Sequence, residues 1–253
     1  MNYFIAVNYN TSCLIEGWAS SIRRNCANSK LILIDNYFSD EERAETIKIC
    51  VALSIDLVTS KNVGYGAALN EGMSVILNNH NGGPGIIFAG NLDLEYLHIQ
   101  PSLPEGNFIY VPKVEEVAKQ NRNPFLTRVQ KHFLWTYKFA ARYNSVVLYF
   151  LAVAINKLLG FIPSKIWAVH GSLFCFNLKS ISLECLPFDT RSFLYGEELE
   201  FASFMEMQGA EFVDTNVAVR HISHVATKAI TKRQKDFLLL WAPSYNNWYR
   251  KWQ

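Results

Sequence analysis

The sequence predicts an α/β domain built on a mostly parallel sheet covered by helices, and three observations predict it. The first 90 residues alternate short apolar runs with segments of helical length and spacing. Each apolar run leads into a loop rich in Asn, Asp, Ser and Gly, at the carboxyl end of the strand where such sheets hold ligands. The chain of 253 residues, 50% hydrophobic and 14% aromatic, is long and apolar enough to enclose a sizeable core. At 18% charged residues it is too poor in charge for disorder.

Taken in order, strands are expected at residues 3–7, 30–34, 55–58 and 85–88, and helices at 14–26, 40–51 and 64–77. The ligand-facing loops are then 8–12, 35–40, 60–66 and 90–95. After a strand at 108–111 the texture changes to a basic, aromatic, helical stretch over 125–159, bounded by Pro124 and Pro163, an insert of about residues 122–162. Alternating character returns at 166–176, followed by a helix at 197–208 and a strand and turn at 212–221. Residues 1–224 form the domain and 225–253 a helical C-terminal extension, where Lys228, Lys232, Arg233 and Lys235 accompany Phe237, Leu238, Leu239, Leu240, Trp241, Trp248, Tyr249 and Trp252.

The formal charge of +2 argues against a uniformly basic nucleic-acid binder, but it averages regions of opposite sign. Residues 1–112 and 166–219 together carry 8 basic and 19 acidic groups, whereas 113–165 and 220–253 carry 16 and 3. This asymmetry assigns a carboxylate-bearing site to one part and an anion or membrane contact to the other. In the insert, Arg122, Arg128, Lys131, Lys138 and Arg142 lie among Phe125, Phe133, Trp135, Tyr137 and Phe139, a texture suited to an anionic membrane surface or to packing on the core. Its longest apolar stretch, residues 146–155, is short of the ~20 residues that span a bilayer, so contact would be peripheral. Cys13, Cys26, Cys50, Cys175 and Cys185 are odd in number and lack metal-ligand spacing, which predicts reduced core cysteines in a cytosolic protein. Met1 is followed by a strand-like run without a basic leader, so secretion is not expected.

Four clusters carry chemistry. Asp35 closes the second strand, where its carboxylate can accept from a uracil or thymine imide or a ribose hydroxyl, while Ser39 or Asp40 caps the next helix. Asn62-Val-Gly64-Tyr-Gly66 enters a helix that reaches Asn70 and Gly72; such glycines let a ligand near the backbone, and the helix N-terminus favours phosphate. Its spacing lacks the third glycine of the dinucleotide fingerprint, which disfavours a nicotinamide cofactor. Asn91-Leu-Asp93 offers oxygen ligands to a hard divalent cation that would bridge a diphosphate. Glu197, Glu198 and Glu200 crowd a helix start, where the dipole favours them and mutual repulsion raises their pKa values.

Val7-Asn-Tyr-Asn10, the Asp35 cluster, the Asn62 to Gly72 motif, Asn91-Leu-Asp93 and the run from Phe188-Asp through Phe193-Leu-Tyr-Gly-Glu-Glu-Leu-Glu200 occur in an order that resembles family 2 glycosyltransferases. The resemblance is to the branch containing bacterial rhamnosyl- and galactofuranosyltransferases of cell-surface polysaccharide assembly, and it runs from about residue 3 to 224. It implies a GT-A fold and inverting transfer of a sugar from a UDP- or dTDP-sugar to a hydroxyl of a growing glycan. That acceptor would be polyprenyl-pyrophosphate-linked, of O-antigen or capsule type, at the inner face of the cytoplasmic membrane. By the same resemblance, Asp35 contacts the base in a pocket with Asn8, Tyr9 and Thr11, and Asn62, Gly64, Asn70 and Asn91 complete the nucleotide site. Asp93 and His221 face the diphosphate and a Mg²⁺ or Mn²⁺ ion, and His170, Gly171, Ser172 and Glu200 lie beside donor sugar and acceptor. Glu198 matches the general base, with Glu197 the neighbouring candidate. Leu92, and Glu198 where the family commonly has Asp, depart from the pattern and leave a second reading, a catalytically silent nucleotide-sugar or saccharide-binding subunit of a membrane-surface assembly.

Overall fold

The computed structural model describes every residue except Phe38, Asn81, Pro101, residues 117–120, residues 223–233 and Gln253, together with the backbone alone of 234 and 235. Lys228, Lys232 and Arg233, and the side chain of Lys235, lie outside the described residues.

The expected alternation is present as β1 (Asn2–Asn8), α1 (Ile15–Asn25), β2 (Ser29–Tyr37), α2 (Asp40–Ala52), β3 (Asp56–Lys61), α3 (Tyr65–Asn79) and β4 (Ile86–Asn91). The next elements are β5 (Leu94–His98), β6 (Phe108–Glu115), β7 (Leu126–Thr127), α4 (Arg128–His132), α5 (Thr136–Tyr143), α6 (Val146–Leu159), β8 (Ile166–Ala168) and β9 (Leu173–Asn177). The chain continues as α7 (Glu197–Met207), β10 (Glu211–His221) and α8 (Gln234–Trp252). Eight strands form one sheet in the order β3-β2-β1-β4-β9-β6-β10-β5. Pairs β3–β2, β2–β1, β1–β4 and β6–β10 are parallel, and β9 and β5 enter antiparallel.

Alternation along β1 and β2 sends side chains to two cores. Ile5, Ile32 and Ile34 pack with Leu69 and Met73 of α3 and Phe201 and Phe204 of α7, whereas Phe4, Leu31 and Leu33 pack with Trp18 and Ile22 of α1 and Phe88 and Tyr96 of the sheet. Ser39 caps α2, its Oγ accepting from the Glu42 N–H at 3.3 Å. Helix α3 begins one residue after Gly64, whose φ of +94° explains why the chain turns there.

A third core joins regions that are far apart in the chain. Leu134 and Ala140 from the insert, Leu199 and Ala202 of α7, and Leu238, Trp241, Tyr245 and Trp248 of α8 are buried together. Tyr245 Oη donates to the Leu134 carbonyl at 2.6 Å, and Trp248 Nε1 donates to Ser203 Oγ at 2.9 Å. The insert and the C-terminal helix therefore make one helical cap seated on α7. Among the described residues no disulfide forms; Cys50 and Cys175 are core residues, but Cys13 is exposed, so the expectation of five core cysteines holds only in part. No helix among the described residues is long and apolar enough to cross a membrane.

Candidate active site

The carboxyl ends of β1, β2, β3, β4 and β10 open into a cavity of about 300 Å³. Of the residues singled out from sequence, Tyr9, Thr11, Asn62, Gly64, Asn91, Asp93, His170, Gly171, Ser172, Glu197, Glu198 and His221 line it. Strand geometry accounts for this gathering. Parallel neighbours end together, so motifs as far apart in sequence as Tyr9 and His221 meet over one edge of the sheet.

Four expected residues do not reach the cavity. Asn8 spends its amide on Asp35 Oδ1 at 2.9 Å and Thr46 Oγ1 at 3.0 Å, while its oxygen accepts from Thr11 N–H and Oγ1. Asp35 is fully buried beside it, and burial raises its carboxyl above the ordinary range. The strand period explains the exchange: Asp35 and Asn36 point to opposite faces, and Asn36 is the one that faces the cavity. Asn36 Oδ1 accepts from the Val63 N–H at 2.9 Å and its amide donates to Asn62 Oδ1 at 3.0 Å, fixing the loop before α3. Asn70 holds both backbone groups of Phe188. Glu200 lies about 200° around the helix from Glu198 and faces Lys251 Nζ at 3.9 Å.

The glycine motif is occupied by protein. A Cβ on Gly64 would stand 2.5 Å from the Phe193 carbonyl oxygen, and one on Gly66 2.9 Å from Phe188 Cβ. The Tyr65 N–H donates to that same Phe193 carbonyl at 3.0 Å. These glycines admit the segment preceding α7, which supplies Phe193, Leu194 and Tyr195 to the cavity wall. Tyr65 also lines the cavity, with Val7, Leu14 and Leu92; Tyr65 and the Phe193–Tyr195 trio stand within the motifs quoted from sequence, so the signal was present but their roles were not.

Two polar groupings face the cavity. Asp93 Oδ1 lies 3.0 Å from His221 Nε2, which is 3.3 Å from Asn91 Nδ2, and both Asp93 and His221 are largely shielded from solvent. His170 Nδ1 is 2.8 Å from Ser172 Oγ, and its ring centroid is 6.3 Å from that of His221. Across the lining, α7 begins with Glu197 and Glu198. Burial raises both carboxyls, and at Glu197 the neighbouring Glu198 charge adds to the rise. Backbone N–H groups draw both back towards the ionised form, those of Glu198 and Gly171 at Glu198 and those of Glu197 and Tyr195 at Glu197, although Glu197 Oε1 itself has no hydrogen-bond partner. Of the pair, Glu197 carries the like-charge penalty and is pushed up to about 8. Gly171 is needed for this approach, because a Cβ there would lie 2.4 Å from Glu198 Oε1.

Among the described residues no three His, Cys, Asp or Glu side chains gather to hold a metal. Asp93 with His221 still fits a hard divalent cation that takes its remaining ligands from diphosphate oxygens and water, the usual habit of Mg²⁺.

The mixed α/β architecture is that of the GT-A glycosyltransferase fold, as solved structures similar to this chain show. The chain is similar to TarS of S. aureus (TM-score 0.53, 8% identity, covering 88% of this chain and 36% of that one). It is also similar to mannosyl-3-phosphoglycerate synthase from Rubrobacter xylanophilus (TM-score 0.51, 10% identity, 100% and 76%). A third similar structure is the mannosyltransferase PcManGT from Pyrobaculum calidifontis with GDP-Man and Mn²⁺ (TM-score 0.50, 15% identity, 92% and 58%). The chain thus spans little more than a third of TarS and under two thirds of PcManGT. No family model and no curated protein matches the sequence.

Proposed function

We propose that the chain is an inverting glycosyltransferase that moves a sugar from a nucleoside-diphosphate sugar to an acceptor hydroxyl. The observation that carries the reading is Glu198, a carboxylate at the helix start, in the same cavity as the Asp93–His221 pair. The donor occupies the strand-end cavity beside Tyr9, Thr11, Asn36 and Asn62. Asp93 and His221 would hold Mg²⁺ or Mn²⁺, which when bound would supply positive charge against the departing diphosphate. Glu198 accepts the proton of the acceptor hydroxyl as its oxygen bonds to the anomeric carbon; the bond from that carbon to the diphosphate oxygen breaks, and the configuration inverts. Rhamnose or galactofuranose as the sugar, and a lipid-linked surface glycan as the acceptor, rest on the sequence resemblance.

The test is a screen of UDP-, dTDP- and GDP-sugars with purified protein, reading nucleoside-diphosphate release with and without Mg²⁺ or Mn²⁺. Metal-stimulated release from at least one donor is expected. Binding of a donor without release or transfer under any condition would move the chain to the silent-subunit reading.

The same reading places the chain against the inner face of the membrane. Supporting it, α6 exposes Val147, Phe150, Leu151 and Leu158, and the following turn exposes Phe161 and Ile162, a helical stripe flanked by exposed Arg142, Lys157 and Lys165. Several insert cations are already engaged, Arg122 with Glu116 and both Arg128 and Lys131 with Glu206. The apolar stripe is accordingly the larger contributor, and vesicle binding should persist in part at high salt. Equal, negligible binding to anionic and neutral vesicles at low salt would remove the membrane from the proposal.

A further inference from the structure

A second cavity, of about 200 Å³, lies on the other side of Glu198. Its walls come from the helical cap: Tyr137 of α5, Tyr149 of α6, and Phe237, Trp241 and Tyr245 of α8. The rings interlock, with centroids of Tyr149 and Trp241 5.1 Å apart, Tyr149 and Phe237 5.2 Å, and Tyr195 and Phe237 4.7 Å. Tyr195 and Glu198 line both cavities, and among the described residues Glu198 is the only charged one lining the aromatic cavity.

We infer that this aromatic chamber binds the terminal sugar ring of the acceptor and presents its hydroxyl to Glu198. The inference rests on the sugar-transfer reading above and names the acceptor class it left open. Three features point to a sugar. The chamber is the size of a single pyranose. Its aromatic faces match the apolar C–H faces of a pyranose, and the tyrosine hydroxyls and the Glu198 carboxylate match its polar edge. An alkyl chain in the same place could not hydrogen-bond this polar lining, and covering the Glu198 carboxylate with it would cost free energy. Burial and the Glu198 charge push the Tyr149 hydroxyl up to about 12, so it stays a neutral donor for a sugar hydroxyl.

The experiment is ligand-observed saturation-transfer NMR on the full chain without donor, using methyl and octyl glycosides of the common hexoses and 6-deoxyhexoses. Ring C–H protons of at least one methyl glycoside should be saturated, and a nucleoside diphosphate added to fill the first cavity should not abolish the signal. Phe237→Ala should weaken that binding by roughly tenfold or more, and Tyr149→Phe, which keeps the ring and the fold but removes the donor hydroxyl, should weaken it by roughly threefold to tenfold. Silence of every methyl glycoside, displacement by the nucleoside diphosphate, or saturation confined to the octyl chain would each overturn the inference. Glycoside binding that persists in a protein consuming no nucleotide sugar would support the chamber while refuting the transferase reading.

Discussion

The strand-end region and the helical cap build their cavities by different means. At the strand ends, backbone geometry does the gathering: parallel strands finish at one edge, and polar side chains from five of them converge without depending on one another's packing. The cap has no such frame. Its chamber exists because rings from α5, α6 and α8 pack on α7, so its aromatic wall residues on these helices belong to that core or pack against it. Substitutions at the strand ends should therefore alter chemistry with little change in stability, whereas those in the cap should move both together.

The largest expected effect is chemical. Glu198→Gln should cut turnover by roughly 10²-fold or more with donor affinity nearly unchanged; wild-type turnover in this variant would give the base role to another group. Because the base must be ionised and burial raises its pKa, the wild-type rate should fall on acidification at a pH above the ordinary glutamate value.

Glu200 tests the cap's influence on the same helix. Burial pushes its carboxyl up to about 7, against the pull of Lys251. Its folded pKa exceeds the unfolded one, so its contribution to stability is fully present below about 4.5 and is lost as pH rises through about 7. Glu200→Gln should leave stability close to wild type at pH 5 and raise it at pH 8 by on the order of 2–3 kcal/mol, read from denaturant midpoints. A pH-independent difference would mean that Glu200 ionises as an ordinary surface acid.

The smallest effect probes the tie between the regions. Ser244 Oγ on α8 donates to the Leu194 carbonyl at 3.0 Å, holding the segment that walls the strand-end cavity. Ser244→Ala should cost about 1 kcal/mol of stability and raise the donor KM more than it lowers kcat. An unchanged KM would show that the wall holds without the cap.

The first half was legible because period and punctuation agree there. Helices 14–26, 40–51 and 64–77 correspond to α1, α2 and α3 within two residues. The loop read at 90–95 hides β5, since a two-residue turn leaves no room for a separate signal. The run at 166–176 divides into β8 and β9 around the His170–Ser172 loop, which faces the cavity and so breaks the alternation. In the insert, one helical stretch becomes three helices; Asn144, with φ of +46°, separates α5 from α6. The cap as a unit was not legible, because its core pairs side chains more than 100 residues apart, as in Tyr245 with Leu134. The Asp35 assignment turned on which of two adjacent strand residues faces the cavity, and a strand between two cores gives no apolar alternation from which to choose.

The fit of Phe193 and Phe188 against Gly64 and Gly66 changes what a mutational scan of this protein can mean. Side chains at those positions will be rejected for want of space before any phosphate is considered. Intolerance there will appear in assays of folding as much as in assays of turnover. Only positions that line the cavity without packing against the Phe193 segment, Asp93 foremost, can report on the ligand itself.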